Sequence, residues 1–375
     1  MWTWLRAEPT QAVMALLEDG GHAVHAVGGC VRDALMERPV HDVDLSTDAH
    51  PPRVIELAQA AGLRAVPTGI DHGTVTIVAE GVPHEVTTWR RDVETDGRRA
   101  VVAFADRLEE DALRRDFTMN ALYADRRGAV TDPVEGLADL HARRVRFIGD
   151  AHARIREDYL RILRFFRFNA WFGAEIDADG LAACAELADG LDTLSRERVG
   201  SEMLRLLAAP DPAPTVATMA LSGILARTIP GAEAAALPVL VHLEGDLPPD
   251  PLRRLAALGG DPSGLRLSRA DLRALEAMRD DAAPFALGHA HGAAHARDAL
   301  LVRAAALAMP PEGLDAARRG AEAAFPLRAA DLPDLRGPAL GAALRRAERA
   351  WLAAEGALDR AALIRAARAE GDPAG

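Results

Sequence analysis

Lysine is absent from this 375-residue chain: all 44 fixed cationic side chains are arginine. That excludes a Walker-type phosphate loop, which sets a lysine on the phosphates, and any Schiff-base chemistry. Codon bias in a GC-rich genome accounts for the absence, as it does for the abundance of alanine and arginine. Cysteine is almost as scarce. Cys30 and Cys184 stand alone with no CxxC spacing, which excludes a disulfide framework and a cysteine zinc site. Long apolar runs are also missing: none reaches the ~20 residues that span a bilayer. The start, Met1 to Arg6, lacks the basic-then-apolar design of a secretion signal. A reducing cytoplasm is the expected compartment, with no membrane role. Positive charge is in deficit, with 56 acidic residues against 44 basic and a net charge of -12. Any site for a polyanion is therefore a local basic patch. One such stretch exists: between Arg143 and Arg167 eight arginines face three acids, Asp150, Glu157 and Asp158.

What is present divides into two characters. The length has room for two or three domains, and 49% hydrophobic composition supports proper cores. Residues 1–150 read as mixed α/β. Gln11 to Asp19 has helical apolar spacing, Ala23 to Val27 is a short apolar run ending at Gly28-Gly29, and a helix is expected from Val31 to Glu37. His41 to Leu45, Gly73 to Ala79 and Glu85 to Trp89 alternate as strands do, the last two split by a Gly81-Val82-Pro83 turn. Arg90 to Arg99 is polar and aperiodic and is expected to be a mobile loop. From about Asp150 the chain becomes Ala/Leu/Arg-rich helix: Ile155 to Phe168 predicts one amphipathic helix and Arg196 to Leu207 another. The proline-rich piece from Pro210 to Pro214 reads as a joint, and no internal repeat is found. The expected domains are a catalytic head over 1–150, a helical neck over 151–209 and a helical body and tail over 210–375.

Four clusters can carry chemistry. Gly28-Gly29-Cys30-Val31-Arg32-Asp33 joins a strand to a helix through two glycines, which lets backbone N–H groups approach a phosphate, with Arg32 adding a guanidinium. An ordinary turn gives the same pattern. Ten residues past Arg32 come Asp42-Val43-Asp44; on a strand, positions i and i+2 face one way, so two carboxylates would share a face. Two charges that close need compensation, and divalent metals bridging them to substrate phosphates would supply it, Mg²⁺ suiting an all-oxygen site. The alternative is a chance DxD in a solvated loop. Glu85 opens a later strand and either supports that metal site or is a surface strand end. Arg114-Arg115-Asp116-Phe117-Thr118-Met119-Asn120-Ala121 offers Arg115 for a triphosphate and Asp116 for a ribose hydroxyl, or else an internal ion-pair network. Asp158 and Arg161, at i,i+3 of a helix, are neighbours on one face. They read either as a plain salt bridge or as a carboxylate and guanidinium that complement the Watson–Crick edges of C and A and mismatch G and U. Arg164 and Arg167 continue that stripe.

Taken in order, these residues resemble the class II branch of the nucleotidyltransferase superfamily, the bacterial tRNA CCA-adding enzymes and their poly(A) polymerase relatives. The resemblance runs from about Val27 to Leu207 through five motifs: GGxVRD with DxD, EVTTWR, RRDFTMNA, EDxLR and Arg198-xxx-Glu202. It implies an α/β head (a small mixed or antiparallel nucleotidyltransferase sheet with flanking helices) followed by an all-helical neck, body and tail. It implies that Asp42 and Asp44 bind the catalytic metals; Glu85 stays a candidate third catalytic acid on its own position, or a surface strand end. Gly29, Arg32 and Arg115 would contact the incoming nucleotide, joined by Gly28 and Asp116 as candidates on their own positions; Asp158 and Arg161 would read its base, and Arg164 and Arg167 would line the pocket. Arg198 and Glu202 would brace that helix. The Arg90–Arg99 segment would be the loop that serves the switch from CTP to ATP. Implied partners are tRNA, CTP and ATP, with no obligate protein partner. A poly(A) polymerase, a partial CC- or A-adding enzyme, or an RNA-binding protein without chemistry are the other readings. His289, His291 and His295 with Asp298 have metal-like spacing, but a solvated helix end fits them better.

Overall fold

The computed structural model describes residues 2–96 and 99–369. The chain forms two compact units, Met1–Arg198 and Val199–Gly375.

The first unit is built on nine short strands: β1 Val24–Val27, β2 Asp44–Thr47, β3 Arg64–Gly69, β4 Thr74–Ala79, β5 Val82–Thr88, β6 Arg90–Asp96, β7 Arg99–Phe104, β8 Tyr123–Ala124 and β9 Val130–Thr131. Seven form one mixed sheet in the order β3-β4-β5-β2-β1-β8-β9. Its pairs are antiparallel except β2 with β5, which run parallel and set Asp44 beside Glu85. The parallel pair needs a crossover, and helix Pro51–Ala60 with the β3–β4 hairpin provides it. Alternation decides the faces: Val75, Ile77 and Ala79 of β4 are buried, their neighbours less so. The β4–β5 turn is tight because Glu80 and Gly81 both have positive φ, 51° and 82°, which matches the twist of a two-residue hairpin. Val13, Met14 and Leu17 of helix Glu8–Asp19 are buried, as are Val54 and Ala58 of helix Pro51–Ala60.

Three expectations are corrected here. Asp42 lies in coil, and β2 starts only at Asp44. The expected loop from Arg90 to Arg99 is a two-stranded ribbon, β6 against β7, with a register shift between Asp92 and Glu94; residues 97 and 98 lie outside the described residues. A ribbon satisfies its ladder by backbone pairing and needs no buried face, so apolar periodicity cannot announce it. The single helix expected from Ile155 to Phe168 is two, Ala151–Glu157 and Leu160–Phe172, broken at Asp158, whose backbone is extended (φ -156°, ψ 104°).

In the second unit every described element is helical, apart from one isolated bridge between Ala232 and Gly259. Four charged side chains are buried together: Arg253, Arg254, Glu244 and Asp298. Glu244 accepts from both arginines, at 2.9 Å and 2.8 Å. Arg254 also donates to the carbonyls of Leu207 (2.6 Å), Ala209 and Pro210 (3.1 Å), which caps the C-terminal carbonyls of helix Arg196–Leu207. Helix Pro284–Leu307 is kinked at Gly292. Two histidines of this helix go separate ways, His289 to the Ala323 carbonyl and His291 to Asp280 at 2.7 Å. Among the described residues no helix is long and apolar enough to cross a membrane.

Candidate active site

The glycine turn comes first. Strand β1 ends in Gly28, at φ 74° and ψ -121°, a conformation that penalises a side chain. A Cβ there would stand 3.4 Å from Nη1 of Arg115, an ordinary contact, so the backbone conformation rather than space asks for glycine. Gly29 begins the helix Gly29–Leu35, and Arg32 one turn in is buried. Its guanidinium holds Asn120 Oδ1 at 2.7 Å and Asp33 Oδ1 at 2.9 Å, and lies 4.0 Å from the ring centroid of Phe172. Burial pulls the Arg32 pKa down, against the opposing pull of Asp33 and Asp116.

The carboxylates come together at the edge where β2 begins. Asp44 and Glu85 are directly paired in the parallel register. Although the Asp44 residue opens to solvent, the surrounding protein desolvates its carboxyl and raises its pKa. Glu85 and Asp42 push it the same way, while Arg115 opposes them. So Asp42, Asp44, Glu85 and Arg115 share one electrostatic neighbourhood. Among the described residues no three His, Cys, Asp or Glu side chains are gathered as a ready-made metal cage. The donor set is nevertheless all oxygen and mutually repelling, as a site for a hard divalent cation must be.

Arg115 is aimed by groups that sequence reading missed. Asp111, fully buried on helix Leu108–Leu113, accepts from Arg115 Nη2 at 3.0 Å, Arg114 Nη2 at 2.7 Å and the Tyr123 hydroxyl at 2.8 Å. Burial disfavours its ionisation, yet the two guanidiniums and the hydroxyl hold its carboxyl down at about 2. The signal was available: Asp111 stands i,i+3 and i,i+4 before two arginines. Asp116 is buried beside them. Its Oδ1 accepts from Phe117 N at 2.8 Å and Asn120 Nδ2 at 3.0 Å, and its Oδ2 from Arg164 Nε at 2.8 Å and Nη2. Here too burial works against the charge, and Arg164 and Asn120 outweigh it, leaving the carboxyl at about 2. A continuous chain, Arg32–Asn120–Asp116–Arg164, thus ties the glycine turn to helix Leu160–Phe172.

Asp158 and Arg161 are not side-chain partners. Asp158 accepts from Leu160 N at 3.1 Å, opening the second helix, and from Arg198 Nη2 at 2.6 Å. Arg161 pairs instead with Glu157, and donates to the Arg154 carbonyl at 2.8 Å. The i,i+3 spacing assumed one unbroken helix; the extended residue at Asp158 turns its side chain elsewhere. Arg164 and Arg167 both lie over the Phe168 ring, at 5.4 Å and 4.6 Å. Arg198 closes the first unit, while Glu202 is buried in the second, 3.8 Å from Arg205.

A small mixed sheet that carries paired carboxylates on its central strands, beside a glycine turn backed by arginines, is the architecture of a nucleotidyltransferase head. The chain is similar to the class II nucleotidyltransferases, the CCA-adding enzymes and poly(A) polymerases. Residues 24–146 match the family described as the poly A polymerase head domain, and residues 173–236 match the probable RNA and SrmB-binding site of polymerase A. CCA-adding enzymes of Streptococcus pyogenes, serotypes M3 and M4 among them, are 43% identical over 200 residues, 53% of this chain and 49% of theirs. The match thus spans about half the length of these curated relatives. The crystal structure of the Bacillus stearothermophilus CCA-adding enzyme in complex with CTP is similar over 93% of both chains, with a TM-score of 0.73 and 27% identity. The Thermotoga maritima CCA-adding enzyme complexed with tRNA shares the fold over 96% of both chains, with a TM-score of 0.69 and 17% identity.

Proposed function

We propose that this chain adds C, C and A to the 3′ end of tRNA without a template, consuming CTP and ATP in the cytoplasm and releasing pyrophosphate. The pairing of Asp44 with Glu85, with Asp42 close by and Arg115 opposing, carries the reading. The likeness to a CTP-bound CCA-adding enzyme over nearly the whole chain supports it. Asp42 and Asp44 would hold Mg²⁺, which when bound lowers the pKa of the attacking 3′ hydroxyl and neutralises the leaving pyrophosphate. Arg115 and Arg32, beside the glycine turn, orient the triphosphate, and Asp116, whose two oxygens are taken up by Phe117 N, Asn120 and Arg164, positions those groups rather than binding the ribose itself. Holding the reacting groups in line supplies much of the rate.

Base choice falls to Asp158 and Arg161. Since neither quenches the other, each keeps hydrogen-bonding capacity for a base edge, while Arg198 and Glu157 hold them in place. Replacing Asp158 with Ala should raise incorporation of UTP or GTP relative to CTP by roughly tenfold, the worth of a bidentate base contact. Mg²⁺ dependence should be unchanged. Selectivity equal to the wild type would remove this pair from base reading. The match to a poly A polymerase head favours poly(A) addition as the second reading. Incubation with tRNA lacking its 3′ end and each single NTP separates the two: CTP incorporation is expected, and AMP tails without any CMP would establish the alternative.

A further inference from the structure

Besides this site, the first unit has a pocket of about 420 Å³ whose charged walls carry positive charge only. Leu35, Met36 and Leu140 form its apolar side; Arg38, His141, Arg143 and Trp171 form the rest. In a chain of net charge -12 such a pocket runs against composition. Arg38 and Arg143 have no carboxylate partner among the described residues. Each spends one nitrogen on the end of helix Leu160–Phe172: Arg38 Nη1 reaches the Trp171 carbonyl at 3.0 Å, and Arg143 Nε the Phe172 carbonyl at 3.2 Å. Capping that helix explains those nitrogens and leaves the remaining guanidinium donors for another acceptor.

The backbone adds a second observation. Arg143 has φ 52°. It follows the helix Gly136–His141, where Arg143 N bonds the Leu140 carbonyl at 3.0 Å and Arg144 N the Asp139 carbonyl at 2.8 Å. That left-handed position is one where glycine is ordinarily favoured. An arginine there costs backbone strain, a cost the chain also carries at Glu37, Ala308 and Glu355. Arg38 lies over the half-exposed Trp171 ring, 5.6 Å from its centroid, and 4.8 Å from the Phe172 ring, against which Arg32 of the nucleotide site also packs.

We propose that this pocket binds one unpaired nucleotide unit, its phosphate held by Arg38 and Arg143 and its base against Trp171. Stacking on an aromatic ring beside arginines suits any base and requires a single strand. The pocket volume lies within the range of small-molecule sites. The inference rests on the RNA-directed reading above. Its source is either the RNA substrate or a second free nucleotide, and the experiment separates the two.

Arg143→Gly is the decisive variant, since it relieves the strain while removing the charge; Trp171→Ala removes the stacking face. Both are measured for binding of labelled tRNA lacking its 3′ end, without NTP, across a salt series, and for CTP stoichiometry by equilibrium dialysis. An RNA source predicts a Kd raised about fivefold or more in each variant, with the salt slope of Arg143→Gly shallower by about 0.7. Its Tm should remain level, and the KM for CTP unchanged. A free-nucleotide source predicts two bound CTP in the wild type and one in the variants. RNA affinity, salt slope and CTP stoichiometry all equal to the wild type would overturn the pocket. Because the binding arm needs no chemistry, a protein that lost RNA affinity as predicted yet never incorporated CTP would sink the proposed function and leave the pocket standing.

Discussion

Asp44→Asn should reduce nucleotide incorporation by about a thousandfold or more, some 4 kcal/mol of barrier, because the proposed function makes this carboxylate a ligand to a charge-neutralising ion at the reacting phosphate. The fold should not suffer. In the native protein the Asp44 carboxyl is desolvated and faces Glu85 and Asp42, so its pKa is raised. A raised carboxylate contributes stability only while protonated. That contribution is present below the ordinary value and is lost as pH rises through the raised one. At neutral pH the ionised group is therefore a burden to the metal-free protein, and the neutral amide removes it. Thermal melts in chelator should show a Tm level with or above the wild type, and the Tm gain on adding Mg²⁺ should shrink. Incorporation within tenfold of the wild type would take Asp44 out of the chemistry. A sharp fall in Tm would show instead that the carboxylate is structural.

Asp111→Ala should be the most destabilising single change in the head, at about 3–5 kcal/mol, the usual consequence of leaving buried cations without their partner. The side chain is fully buried and serves Arg114, Arg115 and Tyr123 at once. The same loss should reach function. Arg115 is held against Gly28 by this carboxylate, so the KM for CTP should rise more than kcat falls. Urea unfolding and steady-state kinetics measure the two effects, and a destabilisation below about 1 kcal/mol would contradict the assignment. The acid limb gives a separate check. Asp111 and Asp116 titrate at about 2 in the folded protein, below an ordinary carboxylate. Each contributes stability above pH ~4 that is lost as pH falls towards 2. Asp111→Asn should make stability fall less steeply over that window.

Much of the head was legible in advance because its signals are local. A short apolar run into Gly28-Gly29 marks a strand, a turn and a helix, and alternation at Val75, Ile77 and Ala79 marks a half-buried strand. The β6–β7 ribbon was not legible, because a strand pair held by its own ladder requires no apolar stripe. Asp42 was placed on a strand that begins two residues later, since alternation does not say where pairing starts. Asp111 was missed for a different reason: its spacing to Arg114 and Arg115 was visible, but burial makes that spacing matter, and burial is a property of the packed sheet.

Asp42 and Asp44 mark the division. By itself the sequence pointed to the resemblance, the kind of head and the candidate carboxylates, because each of these is written in residue types at short spacing. Only the tertiary structure decided which charges act on which. Glu85 meets Asp44 through a parallel pairing, Asp116 meets Arg164 across 48 positions, and Asp158 meets Arg198 across 40 while the nearer Arg161 turns to Glu157. Spacing along one helix predicts neighbours only while the helix is unbroken. A single extended residue at Asp158 is enough to hand the choice of partner to packing.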